Sequence, residues 1–150
     1  ATVYTDYLFT DKKGNPVDVL GKQNARTNIA PPIPKIKMAW QNNWFRNNHS
    51  ASMSVSWFSA VDHDDQIVDL YQFDGQFVPP SEIDEDPIID VRYSYFMDDF
   101  FNSAVTLSAG VNNLLDYKPT LTGQIGGFES RLINNFYRQF FVSIDFTPGG

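Results

Sequence analysis

Ser50-Ala51-Ser52-Met53-Ser54-Val55-Ser56-Trp57 alternates hydroxyl and apolar side chains without a break. A strand sends successive side chains to opposite faces, so this segment has one greasy face and one face of hydroxyls. Which face meets the core decides the fold. In a soluble sandwich the apolar face points inward, whereas in a membrane barrel it points to lipid and the polar face lines the lumen.

The same device recurs along the chain. Alternation predicts strands over 35–44, 49–61, 88–96, 102–112 and 136–147, with a weaker one over 2–9. Ile36, Met38 and Trp40 share a face opposite Lys37, Ala39 and Gln41. Ile89, Val91, Tyr93 and Tyr95 oppose Asp90, Arg92 and Ser94. Val105, Leu107, Ala109 and Val111 oppose Thr106, Ser108, Gly110 and Asn112, and Phe140, Val142, Ile144 and Phe146 oppose Phe141, Ser143 and Asp145. Asp11–Pro34 reads as a long loop, stopped by Pro31, Pro32 and Pro34. Inside 62–86, Asp74-Gly75 reads as the turn of a small hairpin. Helix is nowhere favoured.

The connections alternate strictly: a long loop after the first strand, then short at Arg46-Asn47-Asn48, long at 62–86, short at 97–101 and long before the last strand. Short periplasmic turns opposite long extracellular loops are the pattern of outer-membrane barrels. Aromatic residues agree: Trp44, Phe45, Phe96, Phe100 and Phe101 fall beside the short turns, while Trp57, Phe58, Phe136 and Tyr137 fall at the long-loop ends. Two such belts match two membrane interfaces.

Composition narrows the function. The 150 residues are 42% apolar and 15% aromatic, with no cysteine, which excludes disulfide scaffolds, thiolate zinc sites and cysteine nucleophiles. No apolar run approaches the roughly 18 residues of a membrane helix. The net charge of −7 is local, because nine of the eighteen acids and no Lys or Arg lie between Asp62 and Asp86. Elsewhere nine acids face eleven bases, a net of +2. Nucleic-acid binding is disfavoured for want of a basic stripe.

The segment Leu107-Ser-Ala-Gly-Val-Asn-Asn-Leu-Leu-Asp-Tyr-Lys-Pro119 resembles a signature near the end of TonB-dependent receptors, where a strand runs into Asn-Leu-Phe-Asp and shortly Pro. Asn113, Leu114, Leu115, Asp116 and Pro119 are the matching residues, with Leu115 where Phe is commoner. Arg138-Gln-Phe-Phe-Val-Ser-Ile-Asp-Phe146 is similar to that family's closing strand, although Thr147-Pro-Gly-Gly150 runs past the usual terminal Phe. The segments 34–44 and 50–61 resemble the strand pair that precedes these.

The resemblance implies an all-β, transmembrane antiparallel β-barrel, of which this chain supplies the C-terminal five or six strands out of 22. It implies import of a scarce nutrient across the outer membrane of a Gram-negative bacterium with energy from TonB, and no enzymatic activity. The plug and the TonB-contacting segment (the TonB box) have no counterpart in the sequence. The implied partners are the remaining barrel strands and plug, the TonB complex through the missing N-terminal part, and outer-membrane lipid with lipopolysaccharide.

Candidate ligand-binding residues lie in the acidic loop expected to be extracellular: Asp62, His63, Asp64, Asp65, Asp84, Glu85 and Asp86. Their carboxylates suit Ca²⁺, with Asp62, Asp64 and Asp65 as its ligands, or a cationic ligand. The simpler reading is a solvated charge run, since EF-hand spacing is absent. Besides Ca²⁺ in this loop, no cofactor is expected, and the transported solute is not encoded legibly. His49 and His63, the only histidines, lie at opposite ends of one strand and cannot share a metal. Gly123-Gln-Ile-Gly126-Gly127 lacks the Lys-Ser/Thr of a phosphate loop. The alternatives are a soluble β-sandwich binding carbohydrate on aromatic platforms, and a small self-contained barrel.

Overall fold

The computed structural model describes residues 1–24, 31–63, 80–83, 87–98, 100–121, 132 and 137–148. They are all-β, and every strand pair is antiparallel. The strands are β1 (Thr2–Val3), β2 (Leu8–Thr10), β3 (Pro16–Asp18), β4 (Ile36–Arg46), β5 (His49–Phe58), β6 (Val61–Asp62), β7 (Glu82–Ile83), β8 (Ile88–Met97), β9 (Ser103–Asn112) and β10 (Gln139–Pro148). Six form one sheet in the order β1-β4-β5-β8-β9-β10, while β2–β3 and β6–β7 are separate pairs. The large sheet is open, with β1 and β10 at its edges. The chain divides into two compact units.

The unit formed by Ala39–Ser56, Pro87–Tyr117 and Phe136–Gly150 holds the long strands. Alternation set their faces, and the turns set their register. Between β4 and β5 a two-residue turn, Asn47-Asn48, has Asn47 at φ 51°, a left-handed conformation that asparagine tolerates. It is tied to β8, where Phe96 N–H donates to the Asn48 carbonyl (2.8 Å) and Asn48 Nδ2 donates to the Phe96 carbonyl (2.7 Å). Residues 98–102 connect β8 to β9 with Phe101 and Asn102 both at positive φ.

The unit formed by Ala1–Met38, Trp57–Asp86 and Lys118–Asn135 is built from short pieces. Val19 and Ile33 are buried together in it, with Val17 and Leu20 against them. Val61 and Ile83 are fully buried where β6 meets β7. Asn24 Nδ2 reaches the carbonyls of Val19 (3.0 Å) and Pro31 (3.1 Å).

Three sequence expectations are corrected. The strand expected over 2–9 is two: β1 pairs with β4 through Thr2↔Lys37 and Val3↔Ile36, and β2 pairs with β3 instead. Asp6 intervenes, a residue disfavoured in strands, and the Tyr7 carbonyl already accepts from Val19 N–H. The expected loop 11–34 therefore contains β3, folded back through an Asp11 turn whose Oδ1 accepts from the N–H groups of Lys13 and Asn15, both at 2.8 Å. The strand expected over 49–61 ends at Phe58. Ser59 exchanges bonds with Ile36 there, and Val61–Asp62 starts a new pairing with Glu82–Ile83. The expected turn at Asp74-Gly75 lies outside the described residues.

Candidate functional site

Register turns the alternation of each strand into rows that cross the sheet. Ser50 opposes Ser94, Ser94 opposes Ser108, and Ser108 opposes Ser143, so four strands place a serine at one level of one face. Ser94 and Ser108 share a hydroxyl hydrogen bond of 2.8 Å, and Arg92 Nη2 donates to Ser108 Oγ at 3.1 Å. The next row is Ser52, Arg92, Gly110 and Phe141. Gly110 makes it possible: a Cβ there would lie 2.5 Å from Phe141 Cζ, so the bare backbone lets the ring lie across β9. The Arg92 guanidinium carbon stands 6.0 Å from the centre of that ring, at the reach of a cation–π contact.

At the far end of this face Asp90 accepts from Asn113 N–H at 2.8 Å and receives a long 3.5 Å contact from Ser54 Oγ. Asn113 begins the Asn-Leu-Leu-Asp segment and organises it. Its Oδ1 accepts from Tyr117 N–H and its Nδ2 donates to the Tyr117 carbonyl, both at 2.8 Å. Leu114 N–H donates to the Ile89 carbonyl at 2.7 Å, and Asp116 Oδ1 accepts from Arg138 N–H at 3.1 Å, just before β10. The segment thus ties the ends of β8, β9 and β10 together.

The opposite face carries the rows His49–Tyr95–Leu107–Ile144, Ala51–Tyr93–Ala109–Val142 and Met53–Val91–Val111–Phe140. Beyond them come Met97–Val105–Phe146 at the turn end and Val55–Ile89 at the other. No Asp, Glu, Lys or Arg occurs in these rows. Phe140, Val142, Ile144 and Phe146 are 61–80% exposed, and Trp40, Trp44, Tyr93 and Leu107 are exposed as well. Ser108, on the hydroxyl face, is 2% exposed. Val105 is the exception on the apolar side, buried beside the 98–102 turn.

The aromatic belt at the short turns is refined by register. Trp44, Phe45, Phe96, Phe100 and Phe101 are all exposed. Phe96, however, opposes Thr106 on the hydroxyl face, and Phe45 alternates away from Trp44. On the apolar face the aromatic side chains near that end are Trp44, Tyr93, Tyr95 and Phe146. Tyr93 and Tyr95 signalled nothing in the sequence beyond their place in an apolar stripe. At the other end, Phe136 lies outside the described residues.

Of the acidic-loop candidates, Asp64, Asp65, Asp84, Glu85 and Asp86 lie outside the described residues. Asp62 is exposed, opposite Glu82 in the β6–β7 pair, with its backbone in a parallel β-bridge to Lys22. His63 is turned inward at 4% exposure, and among the described residues neither ring nitrogen has a hydrogen-bond partner. No group of three or more His, Asp or Glu poised for a metal occurs among the described residues.

Among the described residues no helix is long and apolar enough to cross a membrane, which leaves strand-crossing open. Compared with known proteins, the chain matches no family model, no curated protein and no solved structure.

Proposed function

We propose that this chain is a section of the wall of an outer-membrane β-barrel, the closing strands of a TonB-dependent nutrient receptor. The observation that carries the reading is the apolar face of β5, β8, β9 and β10, a charge-free surface of large side chains left exposed. A soluble domain seldom leaves an apolar patch of more than a few hundred Å² open to water. From Ile89 to Met97 the strand spans eight steps of about 3.3 Å, roughly 26 Å along its axis and about 20 Å of membrane normal at the roughly 35–45° tilt of outer-membrane strands, most of their roughly 25 Å apolar band. The serine row, Arg92 and Asp90 then face the lumen. The open edges at β1 and β10 support a larger wall, because unpaired strand edges in hydrocarbon cost several kcal/mol per group.

Nutrient import rests on the Asn113–Asp116 segment and the closing strand. Solute specificity belongs to the long loops, where Ca²⁺ or a cationic ligand at the acidic residues remains part of the proposal.

Two measurements test the wall. The protein is expected to need detergent, and its intact mass to exceed 17.1 kDa several-fold. A monodisperse 17.1 kDa species in plain buffer would instead establish a soluble domain. Depth scanning adds detail: Val142→Arg, in the middle row, should cost roughly 2–4 kcal/mol in unfolding from lipid. Ser54→Arg, on the hydroxyl face, should cost far less, and equal costs would count against the assigned faces.

A further inference from the structure

The apolar face is not smooth. Beside Trp44 and Tyr93, where the row Ala51–Tyr93–Ala109–Val142 carries two alanines, it sinks into a groove of about 360 Å³. Trp44, Ala51, Met53, Tyr93 and Ala109 line it with Asn42, and Ser52 and Arg92 border it although register puts their side chains on the hydroxyl face. That volume is at the small end of the roughly 300–1,000 Å³ typical of ligand sites. Toward the Asn47-Asn48 turn the character of the face changes. Tyr93 Oη is hydrogen-bonded to His49 Nδ1 at 2.5 Å, and the His49 ring lies 5.0 Å from that of Tyr95. Alternation along β4 puts Arg46, its exposed last residue, on the same face as Trp44 and Asn42. The rows of this face hold no carboxylate, and Asp98 lies beyond the last of them in the neighbouring turn. One mainly apolar groove therefore leads to one guanidinium and one imidazole.

Resting on the membrane-wall reading, we infer that this groove holds a single anionic glycerophospholipid of the periplasmic leaflet. An acyl chain lies between Trp44 and Tyr93 over Ala51 and Ala109, and the phosphate meets Arg46 and His49. Three features select this occupant. The groove is lined mainly by apolar side chains, the basic groups on this face sit only beyond one end of it, and that end is the short-turn end, where the interface and its lipid phosphates lie. A guanidinium forms paired hydrogen bonds to phosphate oxygens. Once Tyr93 has engaged Nδ1, the His49 ring keeps Nε2 for the same headgroup.

The test uses the full-length protein that carries this chain, in neutral detergent micelles doped with either phosphatidylglycerol or phosphatidylcholine. Native mass spectrometry counts the lipid that stays bound. One phosphatidylglycerol is expected to be retained in preference to phosphatidylcholine. Arg46→Gln should lower its retention about fivefold, the effect of one basic group at an anionic surface. Ala109→Phe, at an exposed position that fills the groove, should abolish it, and Val142→Ala, outside the groove, should leave it unchanged. Heat-modifiable gel mobility verifies that each variant is folded. Equal retention of the two lipids, or retention indifferent to both Arg46→Gln and Ala109→Phe, overturns the lipid site while the detergent requirement still supports the wall. A protein monodisperse without detergent overturns both.

Discussion

Phe101 occupies a left-handed conformation, φ 54°, that a bulky side chain rarely adopts, with its ring 88% exposed and edge-on to Phe100 at 4.7 Å. The backbone cost is roughly 1–2 kcal/mol and the ring contact returns roughly 0.5–1.5 kcal/mol. Phe101→Asn should therefore raise unfolding stability by about 0.5 kcal/mol in urea titration, since asparagine tolerates that region. On the membrane-wall reading it should also weaken partitioning into vesicles, because an aromatic at the interface would be lost. Gain without loss would show that the ring anchors nothing. Asn113 combines the same backbone requirement, φ 53°, with two side-chain bonds to Tyr117. Asn113→Gly keeps the backbone and loses only the bonds, a cost of about 2 kcal/mol. Asn113→Ala should cost a further ~1 kcal/mol for the left-handed alanine. Equal costs for the two variants would mean that the backbone is not held there. Asp11 titrates below the usual carboxylate range, chiefly because Asn15 N–H donates to it. A carboxyl lowered on folding contributes stability above its unfolded titration and loses it as pH falls through its folded one. Asp11→Asn should thus be less stable than the native chain at neutral pH and equal to it in acid, as compared by urea unfolding at the two pH values.

At the scale of the element, β9 shows what alternation alone discloses and what it does not. That Ser108 and Gly110 share one face and Leu107 and Ala109 the other was legible, because the side-chain period is two and needs no partner. That Ser108 stands level with Ser50, Ser94 and Ser143 was not legible. Face follows from one strand, whereas register follows from turn geometry, and the long connection into β10 carries no turn signature that fixes it. The same limit hid Phe96 on the hydroxyl face and the approach of Phe141 to Gly110. Two- and three-residue strands are too short to display a period, so β3 and β7 fall inside expected loops and Val61 of β6 inside the expected strand 49–61. The acidic neighbours of His63 point to a loop ligand, whereas its burial depends on packing that no local pattern encodes. Gly110 gives this register an experimental handle. A Cβ there would lie 2.5 Å from Phe141 Cζ and 2.6 Å from the Val91 carbonyl oxygen. Gly110→Ala should cost roughly 1–3 kcal/mol by overpacking. Phe141→Ala cannot rescue it fully, since the Val91 contact is backbone and does not move aside with the ring. No coupling between the two positions in the double-mutant cycle would place β10 in another register.

For the whole molecule the deciding feature is the free edge of β10. Soluble sheets guard such edges with lysines, prolines, bulges or brevity. This strand has no Lys, its only Pro is the last residue, Pro148, its single charge is Asp145, and it pairs with β9 over ten consecutive residues without a bulge. An edge of that kind is compatible with solubility only if something covers it, and in a barrel wall the cover is the next strand. In an antiparallel pair every second amide of β10 points to β9 and the others point away, toward whatever comes next. Hydrogen exchange on the full-length protein in detergent can read the two sets separately. If β10 lies inside a wall, the amides directed away from β9 should be protected as strongly as those directed toward it. Producing residues 1–150 alone should strip protection from that outward set while sparing the set bonded to β9. Fast exchange of the outward amides in the full-length protein would leave β10 a true edge, and the closed-wall reading would fall even if the apolar face still bound lipid.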